Sequence, residues 1–249
     1  MDDIELIPLE ISVRPDTWLM DDDQFAIADP NWSRIRREVL VRDDHTCQHC
    51  GLRSTKWQEI AHIDDDHLNN DPANLRTICS FCHLSYHLGA AARRNLATLC
   101  WIPEMSQIQI NHMIRSMLAL EMWLSRMPPN APVPENIAYR AMLDTLKGAL
   151  AVRSGLVAHA FGSSSPMHLG SALLDLAARD PEAYEDRQSL IDGIRLVPTG
   201  GKRETPEGRD TTAEMIAHLI DVSGPYGGAM PVSWMPLLQQ YATRLNGGF

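Results

Sequence analysis

Four cysteines form two Cys-x-x-Cys pairs, Cys47 with Cys50 and Cys79 with Cys82. Thiolates are ligands for zinc, and two residues between the cysteines of a pair let one turn place both sulfurs on the same side. The stretch between the pairs can fold back as a hairpin, which would set the second pair beside the first. Because four thiolates complete a tetrahedral shell, the pattern predicts one structural Zn²⁺ and not a catalytic one.

Polar residues inside and after this stretch suggest a second kind of chemistry. The strings "EIAHI", "NL" and "CSFCHLSYH" resemble the motif of HNH endonucleases, which often carry the same four-cysteine zinc site. The resemblance implies that His62 is a general base, that Asn74 orients it, and that His83 or His87 is a metal ligand. A base would activate water while a divalent cation stabilises the phosphate charge. A metal-dependent DNA endonuclease using His62, Asn74, His83 and His87 is therefore one hypothesis.

One position departs from the nuclease pattern. Ala61 stands where the motif normally has an Asp, Glu or His that holds the catalytic cation, and alanine has no ligand atom. The acidic loop at residues 64–67 would replace that ligand only if one of its side chains reached the right distance. In the alternative interpretation, His62 and Asn74 stabilise the hairpin and the aspartates form a solvated turn.

The charge of the chain argues against a nucleic-acid partner. Its formal net charge is -10, whereas affinity for phosphate comes mainly from Lys and Arg. Basic and acidic residues nearly balance even across residues 34–94, which contain the motif. A zinc module that binds nucleic acid without cutting it is thus a weaker hypothesis, and nucleic acid is not the expected partner.

The ends and the remaining cysteine suggest an intracellular protein. Residues 1–23 lack the basic and apolar regions of a secretory signal, and no run of 18 apolar residues predicts a membrane span. We therefore expect a cytoplasmic location without direct membrane insertion. Cys100 lies in the apolar string "LATLCWIP" and is expected to be a buried, inert thiol.

Hydrophobic periodicity predicts a mainly α protein of the α+β class with a small ββα HNH-like zinc module. A helix is expected across residues 31–46, a short strand at "WQEIAHI", and a helix from about Cys79 to Leu99. The helix that follows Ser106 begins with a predicted capping box, Ser106 with Gln109. Further helices fill the C-terminal half, interrupted by a polar loop at 198–210, and His112 is isolated on its helix.

Composition also predicts the domain organisation. Residues 1–30 form an irregular N-terminal arm, and 31–127 form the zinc module with its packing helices. The proline-rich run 127–136 is predicted to be a stiff linker, and 137–249 a C-terminal helical region.

Several strings taken together resemble one particular family. These are "VRDDHTCQHCG", "WQEI", "DDDHLNN", "CSFC", "WIPEMSQIQIN" and, nearer the C-terminus, "LIDGIRLVP". They are similar to the IcmJ/DotN family of type IVB secretion systems, most clearly over residues 32–115. Of the family's site residues, only the zinc ligands Cys47, Cys50, Cys79 and Cys82 carry over onto this chain one by one.

The resemblance implies an HNH-like zinc fold used as a non-catalytic adaptor. Members of the family join the coupling complex, where a type IV coupling ATPase receives effector proteins for export. They dock on an extended segment of that ATPase beyond its motor domain. The expected partners are therefore the coupling ATPase and other coupling-complex subunits, and the expected location is cytoplasmic and peripheral at the inner membrane. His62, His83 and His87 keep the nuclease hypothesis open.

Overall fold

A computed structural model describes residues 6–15, 18, 30–64, 66, 68–127, 134–200 and 211–247. Parts of four predicted features lie outside these residues: most of the N-terminal arm, Asp65 and His67 of the acidic loop, most of the proline-rich run, and most of the 198–210 loop.

The described residues confirm a mainly α chain with short strands. The elements in chain order are α1 Trp32–Arg42, β1 Gln58–His62, β2 Leu75–Cys79, α2 Ser80–His83, α3 Leu88–Arg93, β3 Ala97–Trp101, α4 Gln107–Ser125, α5 Pro134–Phe161, α6 Pro166–Arg179, α7 Pro181–Glu185, α8 Arg187–Leu190, β4 Ile194–Pro198, α9 Thr212–Leu219 and α10 Met235–Gly247. Short 3₁₀ turns occupy Pro72–Asn74 and Pro231–Ser233. In the part of the chain described, no helix combines the length and the apolar character that crossing a bilayer requires.

The chain divides into two compact units. The first unit contains residues 1–94 and 166–190, and the second contains 95–165 and 191–249. The chain returns to the first unit because α6 packs on α3. α4 and α5, which precede and follow the proline-rich run in the chain, pack together in the second unit.

In the first unit, one helix covers the strand hairpin that carries the cysteines. β1 and β2 are antiparallel, with Gln58 opposite Cys79 and His62 opposite Leu75. The predicted apolar face of α1 is confirmed, since Ile35, Val39 and Leu40 are buried against β1 and β2. The predicted hairpin thus forms, and its hydrophobic side is closed by α1.

An ion pair fixes the C-terminal end of α1 to β2. The Arg42 guanidinium donates to the Asp43 carboxylate at 2.7 Å and to the Pro72 and Leu75 carbonyls, each at 2.7 Å. Asp43 also accepts from the Thr77 amide at 2.8 Å. Burial acts to raise the pKa of Asp43, but these donors hold it below its usual value. Because Cys47 follows a few residues later in the chain, these bonds of Arg42 and Asp43 also help to position the first cysteine pair.

The arm at residues 6–15 is held against both the cysteine region and the returning helices. The Ile7 amide donates to the Gln48 carbonyl and the Ser12 amide to the Ser85 carbonyl, both at 2.9 Å. On its other side the Ile11 carbonyl accepts from Gln188 at 2.9 Å. The arm therefore joins the hairpin and the 166–190 helices into one unit.

Trp18 extends this attachment into a slot between α3 and α6. A Cβ added at Gly89 would overlap both the backbone oxygen and the ring of Trp18, and one added at Gly170 would overlap the Trp18 ring. A side chain at either glycine is therefore excluded unless Trp18 itself moves. The two glycines therefore make room for the tryptophan.

The second unit contains a strand pair that the periodicity did not predict. The predicted helix ends with residues 97–99, but these residues belong to β3, which is antiparallel to β4 with Ala97 opposite Pro198. The expected helix from Cys79 is also broken into α2 and α3. The predicted capping box is confirmed: the Gln109 amide donates to the Ser106 hydroxyl, and the Ser106 amide donates to the Gln109 side chain.

Candidate metal centre

Two tight turns present the four cysteines to one another. In the first, the Gly51 amide donates to the Cys47 carbonyl at 2.9 Å, and Gly51 has a φ of +69°, which favours glycine. In the second, Cys79 ends β2 in an extended conformation and Cys82 lies in the first turn of α2. The hairpin register places the second turn beside the first, as the spacing predicted.

The four sulfurs have the proximity that one metal ion requires. All four Sγ atoms lie within 4.8 Å of one another, and all four cysteines are buried. The Sγ atoms of Cys50 and Cys79 are 3.6 Å apart, close to the roughly 3.8 Å edge of a tetrahedron with 2.3 Å zinc–sulfur bonds. In the described part of the chain, no other group of three or more Cys, His, Asp or Glu side chains converges in this way. The cluster can therefore hold a metal ion, and its donor set of thiolates suits zinc.

Crowding of the sulfurs opposes ionisation of the second cysteine pair, Cys79 and Cys82. Contact with the sulfurs of Cys47 and Cys50 raises the pKa of Cys79 and of Cys82 well above that of an ordinary thiol. A divalent cation must therefore displace protons as it binds, and its affinity falls as the pH falls.

A buried histidine beside the cluster fixes the first turn to the arm. His49 Nδ1 lies 3.0 Å from the Ile7 carbonyl, which can only accept, so Nδ1 carries the proton. His49 Nε2 then accepts from the Tyr86 hydroxyl at 2.9 Å. Burial lowers the pKa of His49 and raises that of Tyr86 to about 12, which keeps both side chains neutral. No sequence pattern indicated this pair, because the two residues are far apart in the chain.

His62 and Asn74, the proposed nuclease base and its orienting residue, have different hydrogen-bond partners. His62 is 2% exposed, its ring stacks on Trp32, and its Nε2 lies 3.1 Å from the Asn70 side-chain oxygen. Asn74 instead donates to the Asp64 carboxylate at 2.7 Å. Their arrangement matches the interpretation in which both stabilise the hairpin loop.

The acidic loop is organised around Asp64. Its carboxylate also accepts from the Asp66 amide at 3.0 Å and from the Asn69 side chain at 2.6 Å. These donors, with Asn74, lower the pKa of Asp64 below its usual value. The Asp64 carboxylate therefore accepts hydrogen bonds from residues of its own loop.

His83 and His87 form a separate group with Glu59. His83 Nδ1 donates to the Glu59 carboxylate at 2.6 Å, and its Nε2 lies 3.2 Å from Nε2 of His87. Glu59 and His62 lie three residues apart on β1, so their side chains project from opposite faces of the strand. The structure therefore brings His83 and His87 together but does not bring them to His62. Alternate residues of a strand lie on the same face, so Glu59 shares a face with Ala61. This alternation could have identified Glu59 from the sequence.

Comparison with known proteins gives one long match and one short match. The chain is 25% identical over 178 residues to the "Type 4 apparatus protein DotN" of Legionella pneumophila, covering 70% of this chain and 76% of that protein. It is 35% identical over 60 residues to a "Probable HNH endonuclease" of Lactococcus phage SK1. That second match covers 21% of this chain and 64% of the phage protein, which is less than two thirds of it. No family model matches the chain.

The long match agrees with the strings that resemble one family in the sequence, and it extends well beyond the cysteine region. The short match has the extent of a single module. The match across most of both proteins supports membership of the IcmJ/DotN family.

Proposed function

We propose that this protein is a non-catalytic adaptor in a type IVB secretion or conjugation coupling complex. It binds the coupling ATPase and helps to recruit effector proteins for export. The observation that carries the proposal is the match to a type 4 apparatus protein across most of both chains. In this role the protein is cytoplasmic and lies at the inner membrane through the complex.

The four-cysteine centre supports this role as a structural element. Cys47, Cys50, Cys79 and Cys82 would hold one Zn²⁺, which supplies the folding free energy of a small module. The hairpin, α1 and the arm all attach to the two cysteine turns, so the metal would give the adaptor a rigid platform.

Purification from the native host tests the adaptor role. We expect the tagged full chain to bring down the coupling ATPase and other coupling-complex subunits, identified by mass spectrometry. An untagged strain and a tag on an unrelated cytoplasmic protein are the controls. Recovery of the full chain without any coupling ATPase would contradict the proposal.

The second candidate function is an HNH endonuclease, which the 60-residue match to a phage protein favours. Against this candidate, Ala61 offers no metal ligand, and His62 is paired with Asn70 while His83 is paired with Glu59 and His87. We expect no nicking of supercoiled plasmid with Mg²⁺ or Mn²⁺ beyond that of His62→Ala. Cleavage that His62→Ala abolishes would favour the endonuclease and defeat the adaptor proposal.

A further inference from the structure

One side of α5 is apolar and is exposed on the second unit. On the other side, Leu143, Leu146 and Leu150 recur at intervals of three and four residues and are buried, and the helix packs on β3, α4 and α10. A residue two positions further along a helix lies about 200° around its axis, on the opposite side. Val152 and, one turn later, Leu156 occupy that side and are 55% and 40% exposed. The helix therefore buries one apolar side and leaves another in water.

This exposed side carries no charged residue in the second half of the helix. Between Gly148 and Phe161 the one Asp, Glu, Lys or Arg is Arg153, and its side chain is fully buried. The large exposed side chains of the stretch are those of Val152, Leu156 and Phe161, and the other exposed residues are Gly, Ala and a single His. A helix side that faces only water normally carries charged and polar residues. An uncharged apolar side of this length is typical of a contact surface.

The distribution of charge in the chain points to a second copy as the occupant of this surface. The first unit contains 22 acidic and 12 basic residues, which accounts for the entire net charge of -10, whereas the second unit contains 10 of each. Two copies that met through their first units would repel each other. A two-fold axis brings one surface against itself, so an uncharged surface on the neutral unit can pair without that repulsion. A charged partner segment, by contrast, would find no counter-charge on this side of α5.

Two glycines on the same side allow another helix to come close. Gly148 precedes Val152 by four residues and Gly155 follows it by three, so all three are neighbours on the helix surface. A Cβ added at either glycine would have no atom within 4 Å, and neither glycine has a positive φ. Because glycine weakens a helix interior, packing within the described part of the chain gives no reason for either residue. In an antiparallel pair centred near residue 150, each Val152 would lie over Gly148 of the other copy.

The length of the helix limits the strength of such a pairing. The stretch from Ala141 to His159 is roughly 28 Å long at about 1.5 Å per residue. Contact between two single helices of this length buries well below the roughly 1,600 Å² of a standard interface. Association through α5 is therefore weak and depends on protein concentration.

We propose that two copies of this chain associate through the exposed side of α5, with Val152 and Leu156 in an antiparallel helix pair. The association goes beyond the adaptor role and does not depend on it, because a single copy presents the same remaining surface to a coupling ATPase. The two are therefore tested separately, and the full chain alone suffices for this test.

Sedimentation of the full chain over about 10 µM to 1 mM measures the association. We expect the average mass of the wild type to rise toward that of two chains as the concentration increases. Val152→Lys should weaken the association at least about tenfold, because the two-fold axis brings two new cations together. The matched control is Val232→Lys, which places the same charge at another exposed valine of the second unit, 67% exposed in the wild type. Both variants should keep the circular dichroism of the wild type, since each replaced side chain is exposed.

A mixture of two variants tests whether both copies use the same side of α5. Val152→Glu alone should also weaken the association, and an equal mixture of Val152→Lys with Val152→Glu should restore it, because the facing charges are then opposite. Wild-type protein that stays monomeric throughout the concentration range overturns the proposal. Equal association of Val152→Lys and Val232→Lys, or a mixture that stays monomeric, overturns it as well. If a monomeric wild type binds the purified ATPase segment and Val152→Lys does not, the surface belongs to that partner and not to a second copy.

Discussion

Replacing Cys79 with serine is expected to abolish metal binding and to unfold the first compact unit while the second unit keeps its structure. Cys79 ends β2 and begins the second cysteine turn, so it connects the hairpin directly to the metal. Structural zinc contributes about 10–16 kcal/mol in zinc-finger peptides at pH 7. That is comparable with the whole stability of an ordinary domain, about 5–15 kcal/mol. Loss of one ligand therefore removes more free energy than the small hairpin core can replace.

Elemental analysis and thiol counting measure the two parts of this expectation. Wild-type protein should contain about one zinc per chain, and Cys79→Ser none. With a chelator present, the cysteines of the first unit should react rapidly with a thiol reagent. Cys100 should stay protected, since it is buried in the second unit and burial raises its pKa to about 12. Peptide mass spectrometry distinguishes Cys100 from the others.

The matched control is Cys100→Ala, which removes a buried cysteine that lies outside the cluster. This variant should keep its full zinc content and lose only the stability of a small core truncation, on the order of 1 kcal/mol. Wild-type protein that contains no zinc when purified under non-chelating conditions would defeat the assignment of the metal. So would Cys79→Ser protein that keeps both its metal and its thermal midpoint.

Features set by neighbouring residues in the chain were predicted from the sequence. The apolar side of α1, the Ser106 capping box and the hairpin between the cysteine pairs depend on spacings of a few residues, or on one turn back. The burial of Cys100 followed from its apolar neighbours in the same way. The spacing of the four cysteines was likewise sufficient to predict that they cluster.

Features that depend on distant residues were not predicted. Periodicity predicts a helix end where β3 forms, because the strand depends on pairing with β4, almost a hundred residues further along the chain. The return of 166–190 to the first unit depends on the slot that Gly89 and Gly170 leave for Trp18, which periodicity does not reveal. The hydrogen bond between His62 and Asn70 was likewise not predicted, because it depends on the path of the loop that joins them.

Glu104→Ala is expected to destabilise the second unit by about 3–5 kcal/mol, because it leaves a buried cation without its carboxylate. The Arg153 side chain is fully buried on α5, and its guanidinium donates to both carboxylate oxygens of Glu104. It also donates to the Trp101 carbonyl at 3.0 Å and the Leu245 carbonyl at 2.6 Å. These bonds join β3, α5 and α10, so the cation cannot reach water unless the unit opens.

The matched control is Glu121→Ala, which removes a carboxylate on α4. This carboxylate pairs with Lys147, which lies on α5, the helix that also carries Arg153. That pair is solvent-exposed, with 56% of the Lys147 side chain accessible, and such pairs contribute about 0–1 kcal/mol. Both variants lose one Glu and one ion pair. A large difference between them therefore reports burial of the cation and not loss of charge as such.

Alkylation of Cys100 in the native state measures the opening of the second unit, since this thiol reacts only when β3 is released. Glu104→Ala should accelerate its alkylation by a factor of roughly 150 to 4,000, and Glu121→Ala by less than about tenfold. Adding Arg153→Met to Glu104→Leu should recover much of the loss, because an apolar pair needs no counter-charge. If Glu104→Ala and Glu121→Ala accelerate alkylation equally, the Arg153 cation is not confined by the fold as described. In that case the contacts of Arg153 with Trp101 and Leu245 do not close the second unit.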